Sequence, residues 1–156
     1  MVLASDDIAL TGAWFEGQKH FPLHLADSEK KETPVIKRTM DWLDCYFQGR
    51  QPEFTPPLRP SGTPFQIAVW NILRKIPYGQ TVTYKAIARQ IMADGHMSAQ
   101  AVGGAVGRNP ISVIIPCHRV VGSNGSLTGY AGGIEKKLQL LTIEHVDTTR
   151  LFVPKP

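Results

Sequence analysis

Residues 63–107 read TPFQIAVWNILRKIPYGQTVTYKAIARQIMADGHMSAQAVGGAVG, and this stretch decides the fold. Thr63-Pro64-Phe65-Gln66 is a capping-box pattern with proline at the first helical position. Phe65, Val69, Ile72, Leu73 and Ile76 follow as one apolar stripe, and Pro77 and Gly79 end it. Thr83 is placed to cap a second helix through Ile87 and Ile91, and Gly95 breaks it near Ala93. Ser98 is placed to cap a third, short helix, AQAVGGAVG. The last two helices, joined by a short glycine-containing turn, fit a helix-turn-helix. Gly103 and Gly104 each cost about 1 kcal/mol relative to alanine in a helix interior. They imply that another backbone comes close, either from the protein itself or from DNA.

Downstream, Ile111-Ser112-Val113-Ile114-Ile115 is a β-branched run that reads as a short buried strand stopped by Pro116. Asn124-Gly125 marks a tight turn. Gly129, Gly132 and Gly133 bracket Tyr130 in a loop. The last helix is expected over 134–145, with Ile134, Leu138 and Leu141 facing inward. Upstream, QPEFTPPLRPSGTP (51–64) holds five prolines and a glycine, a composition that suits an extended linker. Before it, Ile8–Trp14 reads as a strand. Residues 34–49 read as an amphipathic helix with Val35, Ile36, Met40, Leu43 and Phe47 on its apolar face. The chain therefore divides into an N-terminal α/β domain, 1–57, and a mostly helical C-terminal domain, 62–156.

The 156 residues are 42% apolar and 19% charged, a globular balance that argues against a disordered chain or a coiled coil. No apolar run approaches the roughly 20 residues of a membrane span. The first residues, MVLASDDIAL, lack a basic segment and carry acid early, which points away from a signal peptide and towards the cytoplasm. Two cysteines build neither a disulfide scaffold nor a four-thiolate zinc site. Charge is unevenly spread. Residues 1–60 hold seven Lys/Arg and nine Asp/Glu, whereas residues 61–156 hold ten and four. A nucleic-acid partner would belong to the second part. On charge alone, a solvated basic surface is the reading to prefer.

Pro116-Cys117-His118-Arg119-Val120 carries the chemistry. A thiol is a good nucleophile only as the thiolate, and a neighbouring imidazole can take its proton. A carboxylate can orient that imidazole in turn. Glu144 is one of four acids in the second part and lies in the last helix, so it is the candidate third member. On residue types alone the Cys-His adjacency is a weak signal, because cysteine is often a small buried hydrophobe. Cys45, on an apolar helix face, reads as core. Trp70 reads as packing and Arg119 as a salt-bridging arginine. Lys136 and Lys137 read equally as phosphate contacts and as solvated helix residues. His20, His24, His96 and His145 have no ligand-like spacing.

PCHRV, preceded by GRNPISVII and followed by VGSNGSLTGYAGG, resembles the O6-alkylguanine-DNA alkyltransferase family, the methylated-DNA–protein-cysteine methyltransferases. TPFQIAVWNILRKIPYGQTVTY resembles the family's entry into its helix-turn-helix, so that the likeness runs over 62–146. LTGAWFEGQKHFP and the helix from Pro34 extend it more loosely. The resemblance implies a ribonuclease H-like N-terminal α/β domain. It also implies a further strand ahead of Ile8–Trp14, for which this chain starts late.

The resemblance further implies that Cys117 accepts an alkyl group, that His118 is its base through a water, and that Glu144 orients His118. Asn109 would hold the turn around the site. Tyr84 would assist extrusion of the base and protonation of the departing guanine. Tyr130 and Gly132 would wall the guanine pocket, and the backbone around Val120 would read the exocyclic amine. Ser98, Ala101, Gly103 and Gly104 would lie in the DNA minor groove. Gln100 stands where many members carry the arginine that fills the space of the flipped base, and the Tyr84-to-AVGG spacing is slightly long. The implied substrate is O6-alkylguanine in double-stranded DNA, with O4-alkylthymine as a second. The reaction would need no cofactor or metal and would consume a monomeric protein once per lesion. Two other readings stand beside this one. A non-transferring lesion-recognition protein would lack the acceptor cysteine, which is present here. A Cys-His-Glu hydrolase would turn over repeatedly without DNA.

Overall fold

The computed structural model describes residues 1–22, 30–95 and 101–154. It is a mixed α/β chain in which strands are few and short. β1 (Val2–Ser5) pairs antiparallel with β2 (Leu10–Trp14), with a bulge between Ala4 and Ser5. A strand therefore does precede Ile8–Trp14, contrary to the expectation from the sequence. Its four residues, VLAS, carry too little periodicity to announce themselves.

β2 is stitched by backbone to distant segments. Its Leu10 exchanges hydrogen bonds with Pro57 and Arg59 of the proline-rich stretch, and Ala13 with Pro110 and Ser112. The linker is thus extended, as its prolines require, but it is paired rather than free.

α1 (Pro34–Phe47) starts at Thr33, whose Oγ1 accepts from the Ile36 amide at 3.2 Å. Its buried face is Val35, Thr39, Trp42, Leu43 and Tyr46. Met40 and Phe47, expected on the core side, are 43% and 44% exposed. The two stripes lie side by side on the helix. The core takes the one carrying the larger Trp42 and Tyr46 rings, which stack at 5.3 Å. Ile36 and Met40 instead line a cavity of about 850 Å³ beside β1. Cys45, expected in the core, is half-buried.

α2 (Pro64–Leu73) has the full capping box between Thr63 and Gln66. It buries Val69, Trp70 and Leu73, while Phe65 and Ile72 are half-buried. Trp70 donates its Nε1–H to the Ala105 carbonyl at 2.8 Å, so the indole packs and also fixes the next helix pair. β3 (Val82–Thr83) leads into α3 (Tyr84–Ala93), capped by Thr83 and ended by Gly95 in the left-handed region. α4 (Val102–Gly107) follows. The expected cap, Ser98, lies outside the described residues, as do Gln100 and the turn between α3 and α4. α4 buries Val102, Ala105 and Val106 against α2 and α3. Gly103 and Gly104 face outward, and a Cβ on either would meet nothing among the described residues within 4 Å. Among those residues, close helix packing therefore does not explain these glycines.

Residues 111–115 are not a strand. Ile111, Val113 and Ile115 are fully buried, as the sequence suggests. Their backbone, however, turns tightly through Ile114 N–H to Ser112 O at 2.9 Å and Ile115 N–H to Ile111 O at 3.0 Å. Val113 sits at φ +73°, a costly setting for a β-branched residue. A buried apolar run looks the same in sequence whether extended or folded on itself. Here the buried amide of Asn109 selects the folded form.

A short 3₁₀ turn (Cys117–Arg119) leads to β4 (Val120–Val121), which pairs parallel with β3. The turn at 122–125 forms as expected around Asn124-Gly125. Gly125 has φ +91° there, and a Cβ would meet the Arg150 carbonyl at 2.2 Å. α5 (Ile134–Ile143) closes the fold. One hydrophobic cluster joins β2, α1, α2, α3, α4 and residues 111–120. A smaller one joins Val121, Leu127 and Leu141, with Ile134 and Leu138 against it.

Candidate active site

Asn109 organises the loop before the cysteine. It is 4% exposed. Its Oδ1 accepts from the Ile111 amide at 2.9 Å, and its Nδ2 donates to the Ile115 carbonyl at 2.8 Å and to Cys117 Sγ at 3.3 Å. One amide thus pins both ends of the turn and touches the thiol. Burial pushes the Cys117 thiol up, while the Asn109 hydrogen bond and the Lys137 charge act the other way.

His118 is fully buried. Its Nε2 lies 2.5 Å from Glu144 Oε2, whereas Nδ1 has no hydrogen-bond partner among the described residues. A carboxylate facing Nε2 holds a proton there and leaves the Nδ1 lone pair to act as base. Burial lowers the basicity of His118, and the Glu144 contact opposes it. Both the thiol and the imidazole are therefore biased towards their neutral forms.

Glu144 caps the C-terminus of α5 and is 2% exposed. Oε1 accepts from Arg119 Nε at 2.8 Å and from the Gly79 amide at 3.0 Å. Oε2 accepts from Arg119 Nη2 at 3.1 Å and from the Tyr46 hydroxyl at 2.5 Å. Burial raises its pKa, but the His118 and Arg119 hydrogen bonds more than offset this and hold it at about 2. Arg119 also donates to the Ile76 carbonyl at 2.6 Å, so it is the salt-bridging arginine that its position suggested.

A second group of residues faces the thiol from the loop side. Tyr84, the first residue of α3, donates to the carbonyls of Thr128 and Gly129 at 3.0 and 3.2 Å. Burial pushes its phenol up to about 12. Tyr130 is 9% exposed, and its hydroxyl lies beside the Ser112 side chain. A Cβ at Gly132 would meet the rings of Tyr130 and Phe15 at 2.8 and 2.9 Å, so glycine is required where these rings pack. Val120 is fully buried, and its amide is taken by the Cys117 carbonyl.

Lys137 corrects the sequence reading. It is neither solvated nor placed for a phosphate, but fully buried. Its Nζ donates to the Thr128 carbonyl at 3.0 Å, and burial brings its pKa down to about 8. Its position seven residues before Glu144, on the same helix face, is the signal that could have found it. Tyr46 is the other residue that sequence reasoning missed. It reaches the site from α1, four residues after Trp42 on the buried stripe.

The structure therefore brings together Asn109, Cys117, His118 and Glu144, with Tyr84 and Tyr130 beside them. Ala101, Gly103 and Gly104 lie apart from that cluster, at the exposed face of α4. Among the described residues, no three or more His, Cys, Asp or Glu side chains could hold a metal ion.

Known proteins are similar to this chain in sequence and in fold. Residues 64–146 match the model of the 6-O-methylguanine DNA methyltransferase DNA-binding domain. The chain is 44% identical over 139 residues to an inducible methylated-DNA–protein-cysteine methyltransferase of Bacillus subtilis, covering 88% of this chain and 74% of that protein. It is 42% identical over 145 residues to a Methanosarcina acetivorans methyltransferase of the same description, covering 92% and 90%. In structure it is similar to Mycobacterium tuberculosis OGT solved in complex with DNA. That match has a TM-score of 0.77 and 41% identity, over 96% of this chain and 86% of that one. The chain belongs to the 6-O-methylguanine DNA methyltransferase family. No helix among the described residues is long and apolar enough to cross a membrane.

Proposed function

We propose that this chain repairs DNA directly, by irreversible and stoichiometric transfer of the alkyl group from O6 of guanine to Cys117 Sγ. The observation that carries the reading is the unbroken Tyr46–Glu144–His118 chain ending in a buried, unpartnered Nδ1 next in sequence to a thiol held by Asn109. His118 Nδ1 takes the thiol proton through a water. The sulfur lone pair then forms the S–C bond as the C–O6 bond breaks. The buried ammonium of Lys137 favours the thiolate. The departing guanine takes up a proton, with the Tyr84 hydroxyl assisting. A thioether has no hydrolytic escape, so each molecule acts once and needs no cofactor.

O6 is hidden in a duplex, so the base is extruded at a cost of a few kcal/mol. Tyr130, Gly132 and the backbone at Val120 form the pocket that receives it. The smooth outer face of α4, with Ala101, Gly103 and Gly104, lies against the minor groove, aided by Ser98 and Gln100. The outward glycines support this, because nothing among the described residues occupies the space they leave. The reading includes a monomeric, cytoplasmic protein divided at 1–57 and 62–156.

The test is intact mass after incubation with duplex DNA containing O6-methylguanine. A gain of one methyl, mapped to Cys117 and absent in Cys117→Ser, is expected. An unchanged mass would sink the reading.

A further inference from the structure

We infer that Tyr46 is a positioning residue of the acid–base machinery, contributed by the N-terminal part, which sets the basicity of His118 through Glu144. The inference rests on the repair reading of the same site. Tyr46 is fully buried on α1, stacked on Trp42 and edge-on to Tyr78 at 6.2 Å and to His118 at 6.4 Å. Its hydroxyl donates to Glu144 Oε2, the same oxygen that faces His118 Nε2, and lies 3.3 Å from that nitrogen. Among the described residues Glu144 is the one carboxylate it meets, with the Leu140 carbonyl further off at 3.5 Å. Burial and the Glu144 charge hold its proton on. It therefore acts as a permanent donor.

The consequence follows from electrostatics. A proton shared with Oε2 draws carboxylate charge away from the imidazole. An imidazolium at His118 is then less well stabilised, and the neutral ring with its open Nδ1 persists to lower pH. The other groups around the pair are fixed contributors. Arg119 donates to both carboxylate oxygens and its guanidinium lies 5.8 Å over the Tyr78 ring. The Gly79 amide binds Oε1. Lys137 on α5 and Arg119 both disfavour a second positive charge at His118. Cys117, next to His118 in the 3₁₀ turn, Tyr78, edge-on to Tyr46, and Tyr130 are further titratable neighbours among the described residues. The Tyr46 hydroxyl can be deleted without removing a charge or a backbone group.

Tyr46→Phe is the test. Two readouts are made on the full-length protein. One is the single-turnover rate of methyl transfer from O6-methylguanine duplex across about pH 5 to 9. The other is the His118 imidazole titration by ¹⁵N NMR without DNA. Both the acid limb of the rate and the imidazole midpoint are expected to move up by about half a unit to one unit. An unmoved imidazole midpoint overturns the inference, as does an unmoved limb with a lowered plateau, which is what lost packing alone would give. The NMR titration needs no DNA or turnover. A parent protein that fails to transfer methyl would therefore count against the repair reading alone, with the Tyr46 inference still decided by the midpoint.

Discussion

Replacing Asn109 by alanine removes one small amide and undoes a loop. The Ile111 amide and the Ile115 carbonyl lose their side-chain partners, at 2.9 and 2.8 Å, and both belong to fully buried residues. The Ile111 amide is orphaned, at about 1–3 kcal/mol, while the Ile115 carbonyl keeps the Cys117 amide at 2.8 Å and loses a hydrogen bond worth about 0.5–1.5 kcal/mol. Relief of the unfavourable backbone at Val113 returns about 1 kcal/mol. The expected net loss is about 0.5–3.5 kcal/mol, which for a chain of this size lowers Tm by about 1–14 °C. Urea unfolding followed by tryptophan fluorescence measures it directly. Methyl transfer should slow as well, because the thiol loses the Nδ2–H donor at 3.3 Å. A stability loss below about 0.5 kcal/mol, with transfer unchanged, would refute the claim that this side chain holds the turn.

Three other outcomes follow from the geometry. Lys137→Met keeps the buried stem and removes a charge that burial disfavours, so it should stabilise the fold by about 1–3 kcal/mol in thermal unfolding at pH 7. The same variant should slow single-turnover transfer. Gly103→Ala and Gly104→Ala meet no neighbour and gain helix propensity, so each should raise stability by about 0.5–1 kcal/mol. Both should weaken duplex binding in a titration at fixed salt, because the added methyl fills the face proposed to enter the groove. Glu144 is held at about 2 against an ordinary 4.5, so its stabilisation is present above the unfolded value and is lost as pH falls from about 4.5 through about 2. Urea midpoints measured over that window should fall more steeply for the parent than for Glu144→Gln.

Local chemistry explains which parts of the structure were legible beforehand. Thr63, Gln66, Thr83 and Gly95 announce their helix ends because capping acts within a single turn. Cys117, His118 and Glu144 were legible through resemblance, since nothing in their spacing alone says that 117 and 144 meet. The turn at 111–115 was not legible, because its cause is a tertiary hydrogen-bond set centred on Asn109. α1 was placed correctly along the chain but rotated, since two apolar stripes compete on it and only packing chooses between them. Lys137 and Tyr46 were passed over for a shared reason. A charged or phenolic side chain is ordinarily read as facing water, and both are buried here because each has a partner in a distant segment.

Glu144 also bears on how this sequence can change. Its carboxylate accepts hydrogen bonds from α1, from the turn after α2 and from the 3₁₀ turn, while its own backbone ends α5. Single-nucleotide changes from a glutamate codon give aspartate, glutamine, lysine, valine, alanine or glycine. Aspartate retracts both oxygens by a methylene, and glutamine turns one acceptor into a donor facing Arg119 or His118. The other four supply no acceptor at all. Every point mutation that alters this residue therefore breaks the tie between segments and the orientation of His118 together. The position is mutationally isolated, and drift elsewhere in the chain has to proceed around it.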